Sequence, residues 1–124
     1  MKIGEVKRLV LTNNPRVIAS YPITKWINGS SKEVLIEARR MVHECYPLLS
    51  HPLMGDIHLI KNPYRTILFG EKRSGVDLPS LIWIEESIAR ISSIFMEKER
   101  VENQRDYQII DFNLFRAAIE NSIK

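Results

Sequence analysis

The residues of this chain on which chemistry could be built are few. His43, His51 and His58 are its three histidines and Cys45 its one cysteine. His51 stands in Ser50-His51-Pro52, inside the aperiodic stretch Leu48–Gly55. A histidine held on a proline-flanked loop is the candidate general acid or base. Its neighbour Ser50 is no triad partner by adjacency, because triads are assembled in space. Asp56 and His58 are metal-ligand types, but two residues do not make a site, and a single cysteine excludes a Cys-based zinc site or an internal disulfide. No metal is expected. Cys45 extends an apolar helical stripe and is read as a core thiol.

Anion chemistry has more to draw on. Thr12-Asn13-Asn14, Asn28-Gly29-Ser30-Ser31 and Gly70-Glu71-Lys72-Arg73-Ser74-Gly75 hold amides, hydroxyls, two cations and helix starts with free N–H groups. Such a set suits a phosphate or carboxylate. The same residues are ordinary turn and cap types, so capping is the competing explanation at each of them. Gly-x-Gly-x-x-Gly and Gly-x-x-x-x-Gly-Lys-Ser/Thr are missing, and Asn13-Asn14-Pro15 stands where a flavin loop would lie. No tightly bound dinucleotide or other cofactor is expected.

Positioning these loops requires regular elements. Leu9-Val10-Leu11 is continuously apolar, as for a strand covered on both faces. Asn14 caps a short helix with Pro15 in its first position. Ile23–Ile27 alternates as a second strand and Asn28-Gly29 closes it. Ser30 and Glu33 have capping-box spacing, and Val34, Ala38, Val42 and Cys45 share one helix face before Pro47 stops it. Ile57–Ile60 is a candidate edge strand, and Thr66–Phe69 a buried strand ending at Gly70. Asp77 caps a helix on which Leu81, Ile84, Ile88, Ile91 and Phe95 recur at three and four, with Ile82, Ala89 and Met96 widening the buried face. Tyr107–Ile110 is read as a strand, and Asp111 as the cap of a last helix carrying Phe112, Phe115, Ile119 and Ile123.

Strands alternating with helices predict one α/β domain over 1–124: a small three-layer Rossmann-like or flavodoxin-like fold, with a mostly parallel sheet of four to five strands. The alternative is an α+β domain with residues 57–60 and 65–69 as a hairpin. In a parallel sheet, ligands bind beyond the carboxyl ends of the strands. That rule selects Thr12-Asn13-Asn14, Asn28-Gly29-Ser30-Ser31, Gly70–Gly75 and Asp111; with the proline-bounded loop, the candidate ligand residues are Thr12, Asn13, Asn14, Ser50, His51, Gly55, Lys72, Arg73 and Ser74.

The chain has 124 residues, 44% hydrophobic and 27% charged, a balance that excludes disorder and collagen-like structure. Its richest apolar run, Leu78–Ile84, is broken by Pro79 and closed by Glu85-Glu86, well short of the ~20 residues of a membrane span. Glu5, Lys7 and Arg8 leave no apolar signal region, so a cytoplasmic protein is expected. The net charge is +3, but the cations come in pairs (Lys7-Arg8, Arg39-Arg40, Lys72-Arg73) with acids close by. That reads as a mixed surface rather than a nucleic-acid face.

Leu11-Thr12-Asn13-Asn14-Pro15, Leu48-Leu49-Ser50-His51-Pro52-Leu53-Met54-Gly55 and Asn62-Pro63-Tyr64-Arg65-Thr66-Ile67-Leu68 occur in this order. In that order, and at this chain length, they resemble the GrdX family. Those are small cytoplasmic proteins named for genes beside the glycine reductase genes of amino-acid-fermenting anaerobic bacteria. The later helices match in character. The resemblance implies a role accessory to selenium-dependent reduction of glycine or related substrates, with glycine reductase components as partners and no catalytic residues to carry over. It marks Asn13, Asn14, Ser50, His51, Pro52 and Gly55. The chain has no Cys-x-x-Cys pair of its own.

Three functions follow. The first is a non-catalytic accessory domain with a small-anion site. The second is an enzyme using His51 on an anionic substrate held by Lys72 or Arg73. The third is an interaction or homodimerising domain using the apolar face of residues 78–96 or the final helix.

Overall fold

A computed structural model describes residues 8–21, 24–53, 62–93 and 104–123. Its elements are β1 (Leu9–Thr12), α1 (Pro15–Ser20), β2 (Thr24–Trp26), α2 (Ser31–His43), β3 (Thr66–Phe69), α3 (Leu78–Ser93) and α4 (Gln104–Ile123). Among the described residues the sheet has three strands, in the order β2-β1-β3. β1 and β2 run parallel, Val10 opposite Thr24 and Thr12 opposite Trp26. β3 runs antiparallel to β1, Leu9 opposite Phe69 and Thr12 opposite Thr66.

The expected four- to five-stranded, mostly parallel sheet is therefore overturned: this is a small mixed sheet with one parallel pair. The path of the chain after α2 gives the reason. Leu48 bridges Phe69 in antiparallel sense on the far edge of β3, and the Leu49 and Ser50 amides both donate to the Leu68 carbonyl. This stretch thus runs in the direction of β1, and β3 returns against it. Pro47 and Pro52 lack N–H donors, which keeps the stretch from becoming a strand.

A second correction concerns Tyr107–Ile110, which lies inside α4 and not in a strand. A four-residue apolar run cannot be told from a buried helical segment by periodicity alone. Here Phe112, Phe115 and Ile119 continue it at helical spacing. Asp111 is accordingly an interior helix residue, not a cap. The candidate edge strand 57–60 lies outside the described residues.

Strand alternation divides the core between the two sheet faces. Leu11, Ile67 and Phe69 pack against Leu35, Ala38 and Val42 of α2 and Ile84 and Ile91 of α3. Val10 and Leu68 point the other way, to Val17 of α1 and Phe115 of α4. There the Tyr21 ring meets Phe115 edge-on, with centroids 4.9 Å apart. The apolar face of α3 is narrower than its sequence suggests. Ile84 is buried, but Ile82 is 56% and Leu78 66% exposed. Phe95 and Met96 lie outside the described residues.

The helix starts follow local rules. The Asn14 side chain accepts from the Arg16 amide, with Pro15 first in α1. Ser30 and Glu33 form the reciprocal capping box of α2. Asp77 accepts from the Ser80 amide at the start of α3. Ser30→Ala should lower stability by about 1 kcal/mol, read as a shift of the urea midpoint at unchanged slope. No shift would mean that the Glu33 side chain alone caps the helix. Cys45 departs from expectation. α2 ends at His43, and Cys45 sits in the turn beyond it, half-buried, at a φ of 76°. With Pro47 two residues on, the chain leaves the helix through a left-handed residue, so the thiol never joins the buried stripe.

Candidate functional site

β1 ends in three polar residues that the fold buries: Thr12, Asn13 and Asn14. By parity, Thr12 and its partner Thr66 face α4, where the buried Asp111 waits. Thr66 Oγ1 donates to Asp111 Oδ2 at 2.6 Å, and Asn14 Nδ2 donates to the same oxygen at 2.9 Å. Thr66 gives its single proton to the carboxylate, so the proton of the 2.7 Å Thr12–Thr66 contact is that of Thr12, whose hydroxyl also has the Arg65 carbonyl as an acceptor at 3.2 Å. Thr12 Oγ1 in turn accepts from the Asn14 amide at 3.0 Å. Asn14 also donates to the Gln108 carbonyl. The end of the sheet is thereby bolted to α4 by a satisfied polar network.

Two charges lie within it. Burial pushes the Asp111 carboxyl above its usual range, against the Thr66 and Asn14 hydrogen bonds and the Arg65 charge. Burial likewise lowers the Arg65 guanidinium, against the charge of Asp111. Arg65 is 4% exposed, and its Nε donates to Ser31 Oγ at 3.1 Å, at the start of α2. One buried cation thus ties β3 to the first turn of α2.

Asn13 gathers the remaining loops. Its Nδ2 donates to the Gly29 carbonyl at 3.0 Å and to the Pro63 carbonyl at 2.9 Å. Its Oδ1 accepts from the Arg65 amide at 2.8 Å. The turn after β1, the turn after β2 and the segment before β3 are therefore joined by one amide. Over it opens a cleft of about 370 Å³ lined by Asn13, Pro15, Trp26, Ile27, Asn28, Gly29, Ser30, Pro63 and Tyr64. Its far wall is placed from α4. Gln108 Nε2 donates to the Tyr64 hydroxyl, and Asn62 spans from the Tyr64 amide to the Tyr107 carbonyl.

This cleft sits at the carboxyl ends of the parallel pair, where the α/β rule places ligands, yet it is not built for an anion. Among the described residues no lysine, arginine or histidine lines it. The start of α2 already has a carboxylate on it. Glu33 accepts from the Ser30 amide, and it lies so close over Gly29 that a Cβ there would come within 2.5 Å of its oxygen.

The cations are elsewhere. Because β3 is antiparallel, Lys72, Arg73 and Ser74 leave the sheet beside Leu9, at the end opposite Thr12–Asn14. The expected single site is thus divided between two ends of the sheet. Ser50 is buried and its Oγ accepts from the Leu68 amide, supporting β3. His51 is exposed and lines neither the Asn13 cleft nor the one at the other end. Its Nδ1 is 3.0 Å from both the nitrogen and the carbonyl oxygen of Leu53. Its ring lies 5.5 Å from that of Trp83. Gly55, Asp56 and His58 fall outside the described residues. Among the described residues no three His, Cys, Asp or Glu side chains converge as a metal site.

The sequence places Asp111 there as a helix cap, whereas Trp26, Tyr64 and Arg65 enter the site without having been singled out for it. Their signal was weak: a tryptophan in a short strand, and a polar Asn-Pro-Tyr-Arg run directly before an apolar strand.

A family model described as GrdX-like protein matches residues 9–120. No curated protein and no solved structure matches the chain.

Proposed function

Because the chain belongs to the GrdX-like protein family, we propose that it is a cytoplasmic accessory protein that binds a small ligand in the Asn13 cleft and performs no chemistry on it. The observation that carries this reading is the Asn13 amide, whose three hydrogen bonds hold three loops around one cleft. A site held in place before the ligand arrives loses less entropy on binding.

Among the described residues the cleft lining has one titratable side chain, the Tyr64 phenol, and our reading is therefore of binding rather than acid–base catalysis. Trp26 and Tyr64 offer ring faces, while Asn28, Ser30 and the Gly29 backbone offer hydrogen bonds. The matching ligand is small, flat and uncharged, with an amide- or hydroxyl-type polar edge. The setting proposed for it is the one the family resemblance implies, service to glycine reduction with glycine reductase components as partners. No helix among the described residues is long and apolar enough to cross a membrane.

Benzamide is a suitable probe. Titrated into labelled protein, it should move the amide resonances of Asn28, Gly29 and Ser30 and the Trp26 indole signal. Trp26→Ala should weaken binding about tenfold, the loss of ~1.4 kcal/mol of ring contact. No movement at ~20 mM benzamide, or equal affinity in the variant, would remove the cleft as the binding site.

A further inference from the structure

We infer a second binding site in the groove between α1 and α4, one that takes a small phosphate monoester as its dianion. The groove holds about 290 Å³ and is lined by Arg16 and Ser20 of α1 and by Ile109, Phe112, Asn113 and Arg116 of α4.

Helical spacing assembles this lining. Arg16 and Ser20 are one turn apart on α1, and Ile109, Phe112, Asn113 and Arg116 recur at three and four along one side of α4. Each helix thus supplies one guanidinium and one short polar side chain to the same groove. Asp111 lies on the opposite side of α4, where its carboxylate accepts from Thr66 and Asn14.

Both ends of α1 are fastened to α4, so the groove has its shape before a ligand arrives. At the start of α1, Asn14 Nδ2 donates to the Gln108 carbonyl and to Asp111. At its end, the Tyr21 ring meets Phe115. Between them Val17 and Phe115 share one buried cluster, with Phe112 packed partly against it. The remaining surface of Phe112 lines the groove as an apolar floor.

The donors select the ligand. Arg40 and Arg73 are each drawn to a carboxylate one turn away along the chain. Arg16 and Arg116 are not: neither guanidinium has an ion pair or a hydrogen bond among the described residues, although Glu120 stands one turn on from Arg116. The Asn113 side chain is likewise without a partner among them. Three donor side chains from two helices therefore line one groove with no carboxylate among its lining residues. A guanidinium presents a planar fork of N–H groups that matches phosphate oxygens. Two such forks and an amide suit the three oxygens of a phosphate monoester, whose short apolar body then lies on Phe112 and Ile109.

The groove shares no lining residue with the Asn13 cleft. Either site can fail without the other, and they report on different amides.

The test is a titration of labelled protein with phenyl phosphate near pH 8, where it is a dianion, with benzoate as the monoanion and benzamide as the uncharged control. Phenyl phosphate should move the Ser20 and Asn113 amides and the Asn113 side-chain signals more than the amides of Asn28–Ser30. Arg16→Ala and Arg116→Ala should each weaken it about tenfold. Lys32→Ala, which removes an exposed cation of α2, should leave it unchanged. The substituted side chains are exposed, and the spectrum of each variant reports directly on its folding. No response at ~20 mM phenyl phosphate would overturn the proposal. So would an unchanged affinity in either arginine variant, an equal loss in Lys32→Ala, or an equal response to benzoate or benzamide at these amides.

Discussion

Asn13→Asp should cost the protein about 3–5 kcal/mol of stability. The substitution changes one atom of a side chain that is 7% exposed. The amide nitrogen now donates to the Gly29 and Pro63 carbonyls. An oxygen in its place turns both contacts into acceptor against acceptor and adds a buried negative charge. Arg65 limits the damage only in part, since its amide already has the other oxygen. Small domains have 5–15 kcal/mol in total, so this single atom removes a large share. Asn13→Ala, which empties the space without adding repulsion, should cost less, about 2–3 kcal/mol. Urea unfolding of the three proteins gives the comparison. A loss under about 1 kcal/mol for Asn13→Asp would mean that the three loops do not depend on this amide.

Removal of the Asp111 side chain should be comparably severe. Asp111→Ala leaves the Thr66 hydroxyl and the Asn14 amide without their shared acceptor and removes a negative charge that acts on the buried Arg65, at about 3–5 kcal/mol. Asp111→Asn should be much milder, because both donors end on Oδ2 and one amide oxygen can accept from both. The pair also separates in pH. Burial raises the Asp111 carboxyl above its ordinary 3.8, so the folded state holds the proton more tightly than the unfolded chain does. The associated stability is fully present below that ordinary value and is lost as pH rises through the folded one. Glu37 and Asp77 are shifted downward and act in the opposite sense. The difference between wild type and Asp111→Asn isolates the Asp111 contribution. Between pH 4 and 7 the wild type should lose stability relative to the variant. A pH-independent difference, or one of opposite sign, would show that the carboxyl titrates as an ordinary one.

What was legible in the chain was local. Asn14 before Pro15, Ser30 three residues before Glu33, and Asp77 ahead of Leu78 all mark helix starts, and all three cap as their spacing indicates. Capping joins residues two or three apart, so the sequence contains the whole interaction. Val34, Ala38 and Val42, or Ile84 and Ile91, are buried at helical spacing for the same reason. Tyr107–Ile110 shows the limit of this. Its four residues suit a strand and a helix equally, and only the helix that continues through Phe112, Phe115 and Ile119, packed with Val10 and Leu68 on one sheet face, distinguishes them. Asp111, taken as a cap, became instead the acceptor that joins α4 to the end of β1.

The sequence alone determined where most elements begin, which sides of them are apolar, and the family to which they belong. The tertiary structure alone decided the direction of β3, and with it the distribution of the functional residues. Parallel pairing would have brought Lys72 and Arg73 beside Asn13. Antiparallel pairing sends them to the other end of β1 and leaves Trp26 and Tyr64 at the Asn13 cleft. The physical reason is that strand direction depends on contacts between Leu48–Ser50 and β3, about eighteen residues apart in the chain. No short-range spacing encodes such a contact.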